Sequence, residues 1–204
     1  MQITRPDPIL LGYLLKRSEK PAAWTAGPRV LEICSVSTCI TRRPDNWVDR
    51  WDFNEAGYYS TPELASAAAP SERVDLYRLF AYELFPLRFH PLGSVNAIGF
   101  AQVFGSELHP VPDQRPLQDM HFLGYDIVQQ SQESANIESP GQTCLGGGFG
   151  CSPLSCVPYP LSTVNQFCLV DRWEDAVTTA LLFAKEQPEE GYYYIFGVWR
   201  KPLA

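Results

Sequence analysis

The order of apolar and polar residues predicts short strands separated by polar loops. The run ILLGYLLK at Ile9 to Lys16 is almost wholly apolar, and HFLGYDIVQ at His121 to Gln129 has the same Leu-Gly-Tyr centre. Apolar runs of this length that carry β-branched or aromatic residues favour buried strands. Each run is followed by a polar stretch and then by a segment containing Cys-Ser-x-x-x-Cys, so both regions predict the same order of elements.

Two helices are predicted from helical spacing and capping residues. From Arg172 to about Glu186 the apolar residues recur at helical spacing, and Pro188 ends the pattern. A shorter helix is predicted after Ser60, running to about Ala69 before Pro70. Ser60 and Asp171 each have a glutamate three residues further on, which matches a capping box at both helix starts.

Each region closes on an aromatic-rich run that is predicted to be a strand. The first is YRLFAYELFPLRF at Tyr77 to Phe89, and the second is YYYIFGVWR at Tyr192 to Arg200. The first run also keeps a helical stripe, so a helix is the alternative there. Alternation in the second run places large residues on both faces, as expected of a central strand. A further strand is predicted within NAIGFAQVF at Asn96 to Phe104.

These elements predict an α+β fold with a mixed or antiparallel sheet and few helices. The shared order further predicts an internal duplication, with residues 1–92 and 121–204 as the two halves and residues 93–120 as the connection. We expect the halves to form one compact domain, because each alone is near the size where burial becomes marginal. The alternative is a coincidence of ordinary α+β patterning, since the VDRW repeat requires a different offset.

Composition and charge narrow the class of protein. The chain has 204 residues, of which 45% are hydrophobic and 19% charged, a profile typical of a globular protein. Its net charge is −7 with scattered basic residues, which disfavours nucleic-acid binding. With neither a signal-like start nor a membrane-length apolar run, a cytoplasmic protein without membrane contact is expected, with reduced cysteines. In a secreted chain the six cysteines would instead permit fifteen disulfide pairings.

The cysteines of the second half are candidate zinc ligands. They are Cys144, Cys151, Cys156 and Cys168. Thiolate sulfur is a preferred ligand of Zn²⁺, but buried cysteine is also a common small hydrophobe of protein cores. Apart from this zinc hypothesis no cofactor is predicted, because the glycine cluster near Cys151 lacks the lysine of a phosphate-binding loop.

A cysteine-based or carboxylate-based catalytic centre is one functional hypothesis. Cys151 follows the glycine-rich turn CLGGGFG, His121 is a candidate base and Asp126 a candidate orienting carboxylate. Asp126 stands in an otherwise apolar strand, so it lies either at a strand end in water or in a cleft.

A protein-binding surface is the favoured hypothesis. Trp47, Trp51, Tyr58 and Tyr59 crowd one stretch, and aromatic residues are common anchors of protein interfaces. Together with the acidic charge, they predict a non-enzymatic interaction or immunity-type protein whose partner is another protein. The enzyme is the alternative.

The C-terminal half also carries a family resemblance. The combination of GYDIV, FGCSPLSC, NQFCLV and GYYYIFGVW resembles a group of uncharacterised bacterial proteins with a similar Gly-Tyr-Asp and Cys-Ser-Pro-Leu-Ser-Cys arrangement. This resemblance implies a bacterial, cytosolic origin and brings no function with it.

Overall fold

The strands of the described residues form one antiparallel sheet. The computed structural model describes residues 3–17, 30–34, 58–69, 71, 76–99, 103, 117–130, 142–143, 164–186 and 192–202. Within these residues the strands are β1 (Ile9–Lys16), β2 (Arg78–Phe89), β3 (Val95–Ala97), β4 (His121–Gln130), β5 (Gln142–Thr143) and β6 (Tyr192–Arg200), and the helices are α1 (Pro62–Ala67) and α2 (Trp173–Glu186). The strand order is β1-β2-β6-β4-β5, with β3 paired to the end of β2. The predicted α+β class with few helices is confirmed.

The two central strands are those with the strongest aromatic patterns. β2 pairs with β1 on one side and with β6 on the other, and β6 pairs in turn with β4. Both strands contribute alternate residues to cores on the two faces of the sheet, as Phe85 does on one face and Tyr82 on the other, which explains why large residues fill both sets of positions. Tyr77 to Phe89 is therefore predominantly a strand, and the helical alternative is wrong.

Both helices cover the same face of the sheet. Ala176 and Ala180 of α2 share a core with Phe85, while Ala65 of α1 shares one with Ala81. Alternate residues of a strand point to the same side, so Ala81 and Phe85 place α1 and α2 on one face. The opposite face has its own core, which includes Tyr82.

The helix starts differ in detail from the capping prediction. α1 begins one residue later than predicted, because the Thr61 hydroxyl accepts the Leu64 N–H at 3.2 Å and Pro62 fills the first helical turn, where proline is tolerated. In α2 the carboxylate of Asp171 accepts the side-chain N–H of Asn165 at 2.7 Å. The Asp171 side chain is therefore hydrogen-bonded to the preceding loop and does not form the predicted capping box.

The two Leu-Gly-Tyr segments have matching environments. β1 and β4 each carry a register irregularity at this segment, and their glycines have positive φ of 134° at Gly12 and 142° at Gly124. A Cβ at Gly124 would lie 2.9 Å from the carbonyl oxygen of Val170, and a Cβ at Gly12 would collide with that of Tyr59. Both positions therefore require glycine for the same reason, the close approach of a neighbouring backbone.

The following tyrosines also have matching partners. Tyr13 exchanges two backbone hydrogen bonds of 2.9 Å with Tyr59, just before α1. Tyr125 exchanges bonds of 2.8 and 2.9 Å with Val170, just before α2. Strands from both halves pair in the same sheet, and each half has a long strand, a helix and a second long strand in that order, with the two-residue β5 as an addition before α2 in the second half. These correspondences support a duplication, which remains a prediction about descent.

Neither helix in the described part of the chain is long and apolar enough to cross a membrane.

Candidate functional site

An acidic side chain lies at the centre of the helix-covered face. Glu83 of β2 pairs with Gly197 of β6, and Tyr125 of β4 pairs with Gly197 from the other side. Directly paired residues point to the same face, so these three residues form one row across three strands. Because Gly197 has no side chain, the row has a gap between the tyrosine ring and the carboxylate.

The gap above Gly197 is approached by one oxygen and two ring edges. A Cβ placed on Gly197 would lie 3.1 Å from Glu83 Oε2, 3.3 Å from Phe85 Cε2 and 3.5 Å from Phe122 Cε2. The edge of an aromatic ring carries partial positive charge, which suits a neighbouring carboxylate oxygen. Glycine at this position therefore allows the carboxylate and the rings to meet over the sheet.

Five aromatic rings form a connected cluster beside this carboxylate, to which Trp199 joins it by a hydrogen bond. Their centroid separations are 5.0 Å for Phe122 and Trp199, 5.0 Å for Phe122 and Tyr125, 5.5 Å for Phe85 and Tyr125, 5.1 Å for Phe85 and Trp173, and 5.7 Å for Tyr125 and Trp173. These five rings and Glu83 are called the aromatic-carboxylate site below. Phe122 and Trp199 are partly exposed, so the site reaches solvent.

The electrostatics of the site are unusual for a surface carboxylate. Burial raises the pKa of Glu83, and the hydrogen bond from Trp199 and the charge of Arg5 oppose this rise only in part. Burial likewise raises the pKa of Tyr125, again with partial opposition from Arg5. Perturbed acids that lie among aromatic walls are typical of functional sites.

The N-terminal segment brings a cation onto the site. The guanidinium carbon of Arg5 lies 4.9 Å from the ring centroid of Phe85 and 5.6 Å from that of Tyr125. Trp173 Nε1 donates a 3.0 Å hydrogen bond to the carbonyl oxygen of Ile3, which fixes the segment to the start of α2. Aromatic faces are negative, so they attract a guanidinium at these distances.

Several residues of the sequence-based hypotheses lie outside the described residues. They are Cys144, Cys151 and Cys156 of the zinc and catalytic hypotheses, and Trp47 and Trp51 of the interaction hypothesis.

The structure does not bring His121 and Asp126 together. His121 is exposed at the first residue of β4, whereas Asp126 has 0% exposure further along the same strand. At about 3.3 Å per residue their Cα atoms are roughly 16 Å apart, beyond the reach of an imidazole-carboxylate hydrogen bond. Asp126 thus does not orient His121, and its placement at a strand end in water is wrong.

Cys168 is buried beside Asp126 in a left-handed backbone conformation, with φ of 60°. Burial, together with the charge of Asp126, raises the pKa of its thiol to about 12. At neutral pH this sulfur therefore holds its proton, unlike a reactive or metal-bound thiolate. Within the described residues, no group of three or more His, Cys, Asp and Glu could hold a metal ion.

The two tyrosines of the interaction hypothesis are core residues. Tyr58 has 0% and Tyr59 has 2% exposure. The backbone bonds between Tyr59 and Tyr13 place this segment against β1, where Tyr59 packs with α1 and Tyr58 lies 5.8 Å from the Tyr82 ring. Their rings therefore stabilise the fold and offer no exposed contact surface.

Sequence reasoning missed the aromatic-carboxylate site. The available signal was Glu83, the one carboxylate within the apolar run of β2, and Gly197, the glycine within the aromatic run of β6. Their pairing depends on the register of strands far apart in the chain, which no local pattern reports.

Comparison with known proteins adds no family to this description. No family model, no curated protein and no solved structure matches the chain.

Proposed function

We propose that the protein is a non-enzymatic binding protein of the interaction or immunity type, which contacts another protein through the aromatic-carboxylate site. The observation that carries this proposal is the position of Glu83, a carboxylate with raised pKa that is walled by aromatic rings at a partly exposed site. A cytoplasmic location and a bacterial origin belong to the same proposal.

The chemistry of the site supports binding of a polypeptide. Tryptophan and tyrosine anchors that combine apolar area with a polar tip dominate the energetics of protein interfaces. Phe122 and Trp199 supply partly exposed rings, and Glu83 supplies a hydrogen-bond acceptor beside Trp199. The net charge of −7 would favour the approach of a basic partner.

The residues of the alternative, an enzyme with a cysteine or carboxylate centre, receive less support. Cys151, the candidate nucleophile, lies outside the described residues, and Asp126, the candidate orienting carboxylate, is buried well away from His121 along β4. A nucleophile requires an activating base within hydrogen-bond reach. The two described residues of this hypothesis, the exposed His121 and the buried Asp126, therefore do not form the expected base and orienting pair.

A co-purification experiment tests the proposed function. The tagged chain is expressed in its native host beside two variants, Phe122→Ala in the site and Leu92→Ala, whose side chain is 98% exposed in the turn after β2. Wild type and Leu92→Ala should retain the same protein, which Phe122→Ala should lose at unchanged far-ultraviolet circular dichroism. The retained protein should also bind the purified chain in calorimetry. Equal retention by Phe122→Ala would refute this function.

A further inference from the structure

We propose that the aromatic-carboxylate site takes the guanidinium group of an arginine side chain presented by the partner, and that Arg5 fills this place in the free protein. The proposal rests on the proposed function, because it names the ligand chemistry of the same site. The N-terminal segment then acts as an internal competitor that the partner's arginine displaces.

The first argument is the match between the site and the group that already occupies it. The Arg5 guanidinium lies within 5.6 Å of two ring centroids, Phe85 and Tyr125, and its charge acts on both Glu83 and Tyr125. A planar guanidinium stacks on aromatic faces and bonds to carboxylates in a fixed fork, whereas an ammonium is a compact and strongly hydrated charge. The site therefore favours arginine over lysine.

The second argument is the small number of hydrogen-bond donors that the described residues offer to Glu83. Within the described residues its one hydrogen-bond donor is the Trp199 indole, and it forms no ion pair there. A carboxylate has about four lone-pair positions, and a half-buried one gains most from a charged donor. An arginine that reaches Glu83 itself would thus bind more strongly than Arg5, which lies over the neighbouring rings.

The third argument is the weak attachment of the segment that carries Arg5. The Arg5 side chain is exposed and makes no hydrogen bond to the described part of the chain. Its segment is held by the bond from Trp173 to the Ile3 carbonyl and by packing of the partly buried Ile3 side chain against the core, but it lies before β1, where Pro6 and Pro8 remove two backbone donors. Such a segment can leave without breaking the sheet.

The test uses the full chain and a short peptide as the probe. The peptide is acetyl-Ile-Thr-Arg-Pro-amide, with versions in which citrulline or lysine replaces arginine; citrulline has nearly the same shape but no charge. Binding is followed through the indole N–H resonance of Trp199, assigned with Trp199→Phe. The chains are wild type, Arg5→Gln, and Arg172→Gln, which removes an equal charge from an exposed position near the start of α2.

Arg5→Gln should bind the arginine peptide about tenfold more tightly than wild type, a difference of one decade in the dissociation constant. Arg172→Gln should match wild type. On the Arg5→Gln chain, the citrulline peptide should bind about tenfold more weakly than the arginine peptide, as the loss of a desolvated cation–π contact predicts. The lysine peptide should bind with intermediate affinity, and adding Glu83→Gln should also weaken binding of the arginine peptide.

Three results would overturn the proposal. Equal affinity of wild type and Arg5→Gln would show that Arg5 is a structural strap and no competitor. Equal affinity for the arginine and citrulline peptides would show that the site does not select the cation, and this comparison needs no variant of the site itself. If the Trp199 indole resonance of Arg5→Gln shows no saturable shift on addition of the arginine peptide, the site does not bind a guanidinium. If the peptides behave as expected while Phe122→Ala retains the partner, the guanidinium site stands and the proposed function falls.

Discussion

The indole of Trp199 donates its N–H to Glu83 across the two central strands, with Nε1 2.7 Å from Oε2. Glu83 pairs with Gly197 and Trp199 pairs with Ala81, so the two large side chains cross the sheet diagonally over two small residues. The indole both occupies one carboxylate oxygen and forms a wall of the gap over Gly197. Because Gly197 and Ala81 are small, the Trp199 indole can reach the Glu83 carboxylate in the centre of the sheet.

The raised pKa of Glu83 predicts a pH-dependent stability difference between wild type and Glu83→Gln. In the folded state the pKa lies above the ordinary value of 4.5, mainly because burial disfavours the charged form. The protonated acid is therefore favoured by folding, and the resulting stability is fully present below pH 4.5 and is lost as the pH rises through the folded pKa. Glutamine keeps an acceptor for Trp199 and carries no charge to bury.

Urea unfolding of both chains between pH 4 and pH 8 measures this difference. Glu83→Gln should gain stability relative to wild type as the pH rises and reach a constant difference once Glu83 is ionised. Asp119→Asn, which removes one carboxylate from an exposed position outside the helices, is the matched control for loss of a charge. A difference that shrinks with rising pH would mean that the folded protein favours the carboxylate, contrary to the burial of Glu83.

The elements that the sequence predicted well are those with long, regular patterns. β2, β6 and α2 follow from alternation or helical spacing over nine or more residues. The start of α1 was displaced by one residue because Ser60 and Thr61 are both good caps, and the choice depends on Pro62. Local sequence patterns therefore predict that a helix or strand forms, but they do not determine the residue at which it begins.

The candidate site could not be predicted from local sequence patterns, and the reason is physical. His121 and Asp126 are close in sequence, which suggested proximity, but an extended strand separates them. Glu83 and Gly197 are far apart in sequence and become neighbours only through the β2 and β6 register. The burial of Tyr58 was equally hidden, because its cover depends on the backbone bridge between Tyr59 and Tyr13.

Alanine at either Leu-Gly-Tyr glycine should destabilise the fold strongly. Gly12→Ala and Gly124→Ala each put a side chain on a backbone with positive φ and drive it into a neighbouring carbonyl. Strain and overpacking together should lower the free energy of unfolding by about 3 kcal/mol or more in each variant. Chemical denaturation measures this loss.

Gly93→Ala separates the two causes. Gly93 has φ of +78°, but a Cβ there would meet no atom within 4 Å, so only the conformational cost of about 1 kcal/mol remains. Similar large losses at Gly12 and Gly124 would support equivalent roles in the proposed duplication. A loss at either position no greater than that of Gly93→Ala would contradict this equivalence.

The thiol of Cys168 should resist alkylation in the folded protein. With a pKa of about 12 against an ordinary value of 9.0, its thiolate population at pH 8 should be about a thousandfold lower than that of a free cysteine. Iodoacetamide labelling followed by peptide mass spectrometry should find Cys168 unmodified until urea unfolds the chain. Labelling in native buffer at the rate of free cysteine would show that the thiol is exposed and ionisable, and would restore Cys168 as a candidate metal ligand.

Asn165 should prove one of the most important polar side chains for stability, because it joins β4, the loop of Cys168 and the start of α2. Its Nδ2 donates to the Leu123 carbonyl and to Asp171 Oδ1, each at 2.7 Å, and its Oδ1 accepts the N–H groups of Phe167 at 2.9 Å and Leu169 at 3.2 Å. Asn165→Ala removes the partner of three partly buried backbone groups, at Leu123, Phe167 and Leu169, and of the exposed Asp171, and should cost about 2–4 kcal/mol in urea unfolding.

Asn96→Ala is the control for that loss, since Asn96 is exposed and its side chain contacts His90 at 3.1 Å; it should change stability by no more than about 0.5 kcal/mol. The effect of Asn165→Ala should also reach the aromatic-carboxylate site, because Asp171 lies just before Trp173, the first residue of α2. We therefore expect a shift of the Trp173 indole resonance in Asn165→Ala at temperatures where the chain remains folded. An unchanged resonance together with a stability loss equal to that of Asn96→Ala would show that the loop and the start of α2 hold their positions without this asparagine.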